Sequence, residues 1–288
     1  MFVVGGRGYV GSEVVGLAGD DAIVVSRDGA DGSMPWQDLL AVLPRAAAPV
    51  VVWLLDGAKH DELEHLDRLI DVLPGDSHVV YVSTCTVYGN TDGSLCDEAT
   101  TLSLLAPHAR LKAAGEIVLS DAGINATVLR LGALYGPDPR SLRKDRIETW
   151  LAEAHDHGRV TVPDATHWRG WLHRNQAARA LHAAARSRTV GVFNVASANA
   201  TFADAVAPAA DLFGAQVTDA DVVDLLSYRI DASKAQSTGL LTTLPSEELS
   251  ASTRALAAHR WPDVVPSLDG PRSLGRAGEV TRDRDRDG

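Results

Sequence analysis

The residues best placed to do chemistry come first. Gly5-Gly6-Arg7-Gly8-Tyr9-Val10-Gly11-Ser12 follows the short β-branched run Phe2-Val3-Val4, and the stretch Ser12 to Leu17 reads as the start of a helix. Glycines at 5, 8 and 11 let a chain turn tightly, bring its backbone against a pyrophosphate with no Cβ in the way, and pack helix on strand. The helix N-terminus then offers unpaired N–H groups and a partial positive charge to the phosphates. The alternative is a glycine-rich turn with no ligand. A second apolar run ends in Ser26-Arg27, where NAD-selective sheets carry an acidic residue about 20 residues after the glycines. A carboxylate repels a 2′-phosphate and a guanidinium grips it, so the pattern favours NADP(H) over NAD(H), with Arg7 as a second cation. In the other reading Arg27 is a solvated charge and Asp28 holds the ribose.

These residues need a frame. Apolar runs of strand length recur at Ala22 to Ser26, Pro49 to Leu55, Val79 to Ser83 and Ala126 to Leu131, separated by helical or loop sequence. Near-continuous apolar strands are buried on both faces, and their alternation with helices implies parallel pairing through right-handed crossovers. The expected fold is a doubly wound α/β sheet. Past Tyr135-Gly136-Pro137 the rhythm loosens into helices such as Arg146 to His155 and Asn175 to Ala185, with short apolar pieces near Val160 and Val192, and a smaller second lobe is expected there. Residues 1–135, with segments about 170–198 returning to them, form the first domain, and 136–270 mainly the second. Arg276 to Gly288 alternates Arg and Asp and has too little apolar surface to offset the entropy of ordering, so a disordered tail is expected.

Composition narrows the function. Of 288 residues 45% are hydrophobic and 23% charged, which suits a soluble chain with one large core or two unequal ones. Thirty-eight acidic against 27 basic side chains leave −11, which argues against a nucleic-acid partner. Cys85 and Cys96 are too few for a disulfide scaffold and lack zinc spacing, so a cytoplasmic protein without a metal is expected. No leader pattern precedes Phe2, and no membrane association is expected.

Further landmarks are Val80-Tyr81-Val82-Ser83-Thr84-Cys85-Thr86-Val87-Tyr88-Gly89, Val128-Leu129-Arg130-Leu131-Gly132-Ala133-Leu134-Tyr135-Gly136-Pro137 and Gly191-Val192-Phe193-Asn194-Val195. With the glycine turn, and in this order over about two thirds of the chain, they resemble the extended short-chain dehydrogenase/reductases, the NAD-dependent epimerase/dehydratases. The resemblance implies a Rossmann-type doubly wound parallel sheet with a smaller C-terminal α/β substrate lobe, and chemistry on nucleotide sugars or other small oxygenated metabolites. It places Gly5, Arg7, Gly8, Tyr9, Val10, Gly11, Ser26, Arg27, Leu54 and Lys112 at the cofactor, and Thr84, Tyr135, Trp168 and Arg169 at the substrate. Thr84 would hold the substrate oxygen; otherwise it is a strand threonine satisfied by backbone.

The family's Tyr-x-x-x-Lys pair maps onto His108-Ala109-Arg110-Leu111-Lys112, one helical turn apart, with histidine in the tyrosine's place. A tyrosine of pKa about 10 works as acid or base because nearby positive charge favours its phenolate. The same charge penalises the protonated form of a histidine of pKa about 6.5, so beside Lys112 a mostly neutral His108 is expected. Its nitrogen also reaches about 2 Å less far than a phenol oxygen. His108 then acts directly or through water, or another group such as Tyr88, Tyr135 or the substrate moves the proton, or the site binds cofactor without turnover. Lys112 would hold the nicotinamide ribose, or is a solvated helix lysine.

Asp56 ends the third apolar run, either as a functional carboxylate or as the cap of a helix running through Lys59 to Leu73. The short segment from Asp28 to Pro49 suggests a trimmed peripheral strand. Arg169 could bind a phosphate or carboxylate with Trp168 stacking on a planar group, or both tryptophans 168 and 171 pack the lobe. His173 reads as structural. The expected function is an NADP(H)-dependent oxidoreductase or epimerase on a small metabolite such as a nucleotide sugar or natural-product intermediate. The alternatives are a non-catalytic NADP-binding sensor or scaffold, and a redox-neutral lyase or cyclase. Relatives often pair through helices, and Pro107 to Asp121 would serve in a possible homodimer.

Overall fold

The computed structural model describes residues 1–55, 61–138, 145–221 and 223–265. Asp56, Lys59 and the tail from Arg276 to Gly288 lie outside them. In chain order the elements are β1 (Phe2–Val4), α1 (Gly11–Ala18), β2 (Ile23–Ser26), β3 (Met34–Pro35), α2 (Trp36–Val42), β4 (Val50–Trp53) and α3 (Glu62–Ile70). There follow β5 (His78–Thr84), β6 (Asn90–Cys96), α4 (Pro107–Asp121), β7 (Ala126–Leu131), β8 (Ala133–Tyr135), α5 (Arg146–His157) and β9 (Arg159–Val162). The remainder are β10 (Trp168–His173), α6 (Arg174–Ser187), β11 (Gly191–Val195), β12 (Ala198–Thr201), α7 (Phe202–Phe213), β13 (Gln216–Asp219), β14 (Ser227–Ile230), α8 (Ser233–Ser237) and α9 (Leu249–Arg260).

Seven strands form one parallel sheet in the order β11-β7-β5-β4-β1-β2-β3. This is the Rossmann-like α/β fold. Successive strand residues alternate between two apolar clusters. Val3, Val52, Val80 and Leu129 face α1 and the alanine-rich α6, while Val4, Val51, Trp53, Val79, Tyr81 and Val128 face α2, α3 and α4. Burial on both faces explains why the runs read as continuous in sequence. The peripheral strand β3 is two residues long, as the short segment after Asp28 suggested.

Strand order reverses between β1 and β4, the switch point outside whose carboxyl ends open sheets of this kind hold ligands. There Gly5 follows β1 and Leu54 follows β4, with Leu54 N–H donating to Val4 O at 3.0 Å. The smaller sheets lie later in the chain: β12-β10-β8, β13-β9 and β14-β6. A third cluster, built on Ile147, Trp150, Leu151, Trp171, Phe202 and Val206, packs α5, α7 and α9 together.

His173 closes β10 and caps α6: its Nδ1 accepts from Asn175 N–H at 3.2 Å, and Gln176 returns a bond to its backbone. Burial pushes its pKa down to about 4, and burial does the same to His78, whose Nε2 lies 2.8 Å from Thr127 Oγ1. Both stay neutral in the fold, whereas the unfolded chain takes up protons below about pH 6.5. Stability conferred by these groups is therefore complete above that pH and is lost as the pH falls from 6.5 towards 4. Urea midpoints measured from pH 7 to 5 should fall with pH, and His173→Asn, which keeps a cap acceptor, should make that slope shallower.

Candidate functional site

The glycine turn is built against its neighbours. Gly5 adopts φ +84°, and a Cβ there would lie 3.0 Å from Leu54 O. A Cβ on Gly11 would run into Gly5 O and stand 2.8 Å from Gly6 Cα, so helix α1 approaches the strand as closely as backbone allows. Gly8 is exposed at the crest of the turn, and α1 starts at Gly11 with no side-chain cap. Within its first turn Ser12 N–H donates to Gly8 O and Glu13 N–H to Val10 O, each at 3.0 Å, so the turn's own carbonyls cap the helix and the positive end of its dipole lies at the switch point.

Beneath the turn lies Arg174, 1% exposed. Its Nε donates to Tyr9 O at 3.1 Å, one terminal nitrogen to Pro137 O at 2.7 Å and the other to Ser12 Oγ at 3.2 Å, with Glu13 Oε1 at 3.1 Å. The guanidinium also sits 4.9 Å from the centre of the Tyr9 ring. Tyr9 is buried and donates to Gly136 O at 2.6 Å, so its side chain braces the turn from behind. Val10 is buried in the core as well.

At the end of β2 the loop folds on itself. Ser26 Oγ accepts from Gly29 N–H at 3.0 Å and lies 2.6 Å from Ser33 Oγ. Asp28 Oδ1 accepts from Ala30 N–H at 3.2 Å, and those backbone bonds hold its carboxyl below the usual range. Arg27 is exposed. Arg7 reaches across to this loop, bonding Ala30 O and pairing with Asp31 at 2.6 Å.

Thr84 ends β5, and its Oγ1 accepts from Thr86 N–H at 3.2 Å, capping the turn Cys85–Tyr88. His108 is half-buried on the first turn of α4. Lys112, one turn later, is 2% exposed and donates to Leu55 O and Glu62 Oε1, each at 2.7 Å. Glu62 is itself buried and also accepts from Trp53 Nε1 at 3.0 Å. Lys112 is thus no solvated helix lysine but half of an ion pair inside the protein. Tyr88 and Tyr135 are not placed to move protons. Tyr88 Oη accepts from Arg130 at 3.0 Å and donates to Asn194 Oδ1 at 2.7 Å, and Tyr135 donates to Glu247 O at 2.5 Å. Burial pushes both phenols well above their ordinary value.

A cavity of about 700 Å³ opens beside Thr84 and Thr86. Trp150, Trp171, Phe202 and Tyr228 supply aromatic walls, and Asp145, Arg146, Glu153, Arg169 and Asp224 bring charge. Asp145 caps α5 and accepts from Gly136 N–H at 2.6 Å; burial raises its pKa. Arg146 lies over the ring of Phe202 at 4.8 Å. Of the residues expected at the substrate, Thr84 and Arg169 line this cavity. Tyr135 is core, edge-on to His173, and Trp168 packs against Gly93 under Arg229. Neither Tyr135 nor Trp168 is among its described walls. Nor are His108 and Lys112 among them. Among the described residues no group of three or more His, Cys, Asp or Glu is placed to hold a metal, and no helix is long and apolar enough to cross a membrane.

The NAD dependent epimerase/dehydratase family matches residues 41–196, more than half of the chain, and the chain belongs to it. Comparison with curated proteins finds no match. Among solved structures, dTDP-glucose 4,6-dehydratase from Bacillus anthracis in complex with NAD is similar at 18% identity over 91% of this chain and 97% of that one, TM-score 0.72. UDP-N-acetylglucosamine 4-epimerase from Bacillus cereus gives 20% identity, 90% and 98% coverage and TM-score 0.70. MoeE5 in complex with UDP-glucose and NAD gives 23%, 90% and 98%, and 0.71. At these identities the likeness is one of fold.

Sequence reasoning overlooked Arg174, Glu62, Arg146, Asp224 and the walls Trp150, Phe202 and Tyr228, while Trp171, one of the two tryptophans offered as lobe packing, also lines the cavity. Arg174 left a signal: a cation at the first position of a helix opposes the dipole and needs a specific partner. Glu62 left none, because an acid in a first helical turn reads as an ordinary exposed, dipole-favoured residue. Removing one member of a buried pair leaves an uncompensated charge. Lys112→Met should therefore cost about 3–5 kcal/mol by urea unfolding, and adding Glu62→Met should restore most of it.

Proposed function

We propose that the protein is a nicotinamide-dinucleotide-dependent oxidoreductase or epimerase acting on a small oxygenated metabolite. One observation carries this reading: the close-packed glycine turn Gly5, Gly8 and Gly11, leading into α1 without a side-chain cap at the switch point of the sheet. The exposed crest at Gly8 and the close packing at Gly11 suit a diphosphate lying across the turn. The dinucleotide supplies hydride acceptance and return, and family membership and the NAD named with two of the similar structures support it. The phosphorylated form, NADP(H), is our reading of Arg27 and Arg7. Asp31 already pairs with Arg7, so a 2′-phosphate displaces it or relies on Arg27.

Thr84 holds the substrate oxygen at the cavity floor. His108 takes the position of the family's tyrosine and moves the proton, directly or through water. The helices α5, α7 and α9 form the substrate lobe over the sheet. The commitment of Lys112 to Glu62 and Leu55 favours a second reading, an NADP-binding sensor without turnover.

Calorimetric titration should show saturable binding of NADP(H), and a tenfold preference for NAD(H) overturns the phosphorylated assignment. His108→Ala should abolish or alter turnover while leaving dinucleotide affinity within about threefold. Absence of turnover in the wild type, His108→Ala and His108→Tyr alike, with affinity intact, establishes the sensor.

A further inference from the structure

Arg169 is the cavity guanidinium for which the sequence offered a ligand phosphate or carboxylate as one of two readings, and its bonds are made within the protein. One terminal nitrogen donates to Trp168 O at 2.8 Å and to Leu226 O, and the other meets Asp224 Oδ2 at 2.5 Å. The ring centres of Phe202 and Tyr228 lie 4.8 and 5.4 Å from its guanidinium carbon. The side chains of both partners are largely buried, at 8% and 12% exposure. Asp224 is fixed in turn, because its Oδ1 accepts from Leu226 N–H at 3.0 Å. An internal carboxylate therefore occupies the place at Arg169 that an anionic ligand group would need.

We infer that Asp224 is a specificity-determining residue that closes Arg169 to phosphate, so that the part of the ligand reaching Arg169 is uncharged and hydroxylated. This rests on the proposed function and names its substrate class. A ligand phosphate at Arg169 would have to displace Asp224, which then loses its guanidinium partner while remaining beside the incoming anion, and Arg146 on the same lining offsets that repulsion only in part. A hydroxylated, uncharged group meets no such cost. The aromatic walls offer apolar surface to its C–H faces, and Thr84 and Thr86 on the cavity lining carry hydroxyls suited to hydroxyl partners. Selectivity of this kind works by repulsion of the wrong ligand as much as by attraction of the right one.

The test compares UDP with uridine, which differ by the diphosphate. All calorimetric titrations of UDP and uridine are run with NADP(H) saturating the glycine turn, and under that condition the wild-type protein should show no gain for UDP over uridine, to within threefold. Asp224→Asn keeps the acceptor for Leu226 N–H and frees Arg169, and should bind UDP at least tenfold better than uridine. Asp224→Asn combined with Arg169→Gln should lose that gain, which assigns it to Arg169 rather than to the glycine turn. A tenfold preference for UDP in the wild type overturns the inference whatever the variants do, as does a folded Asp224→Asn protein with no gain. Titration of NADP(H) into the same preparations separates the two readings: its failure removes the proposed function, while the UDP pattern alone decides the role of Asp224.

Discussion

The arrangement of the turn depends on one buried guanidinium. Arg174 opens α6, yet its side chain runs under the glycine turn and bonds the backbone of Tyr9 and Pro137 and the side chain of Ser12. It thereby joins three segments distant in sequence: the start of α1, the exit of β8 and the first turn of α6. A charge so buried is tolerated because its polar contacts are satisfied by carbonyls, a hydroxyl and Glu13, and its face by the Tyr9 ring. The turn is held from below by groups that do not lie at its exposed crest, Gly8.

A second buried charge pair shapes the opposite wall. Lys112 and Glu62 join α4 to α3 beneath the end of β4, with Trp53 bonding the same carboxylate. Lys112 is therefore not the bare cation that a His-x-x-x-Lys pattern suggests, because Glu62 compensates its charge inside the fold. Next to it, Glu116 pairs with Arg130 at 2.7 Å and Arg130 holds Tyr88, which locks the turn that follows Thr84. The chain thus places its ionisable groups in matched sets around the end of β5.

Much of the fold was legible, because parallel strands buried on both faces leave uninterrupted apolar runs. β1 and β7 fall on the runs read from sequence, and the other runs differ from their strands by a residue or two at the ends. The glycine turn was legible for a similar reason, since only glycine tolerates the contacts at positions 5 and 11. The partners of each charge were not. Asp224 lies 55 residues from Arg169 and Glu62 lies 50 from Lys112, and one sequence does not say which acid meets which base. Tyr135 and Trp168 sat in family-like segments, but their side chains turn into packing because strand alternation, not motif membership, decides which way a residue points.

The brevity of β3 has an effect beyond the site. A parallel sheet ends there on an open edge, and an edge of free backbone donors is a template for pairing with another molecule. The edge strand is only Met34 and Pro35, and the proline has no N–H to give. The chain then enters α2 at once, which leaves an incoming strand almost nothing to continue. At this edge the sheet therefore offers a second molecule little to pair with, in contrast to its other edge, β11, which runs for five residues.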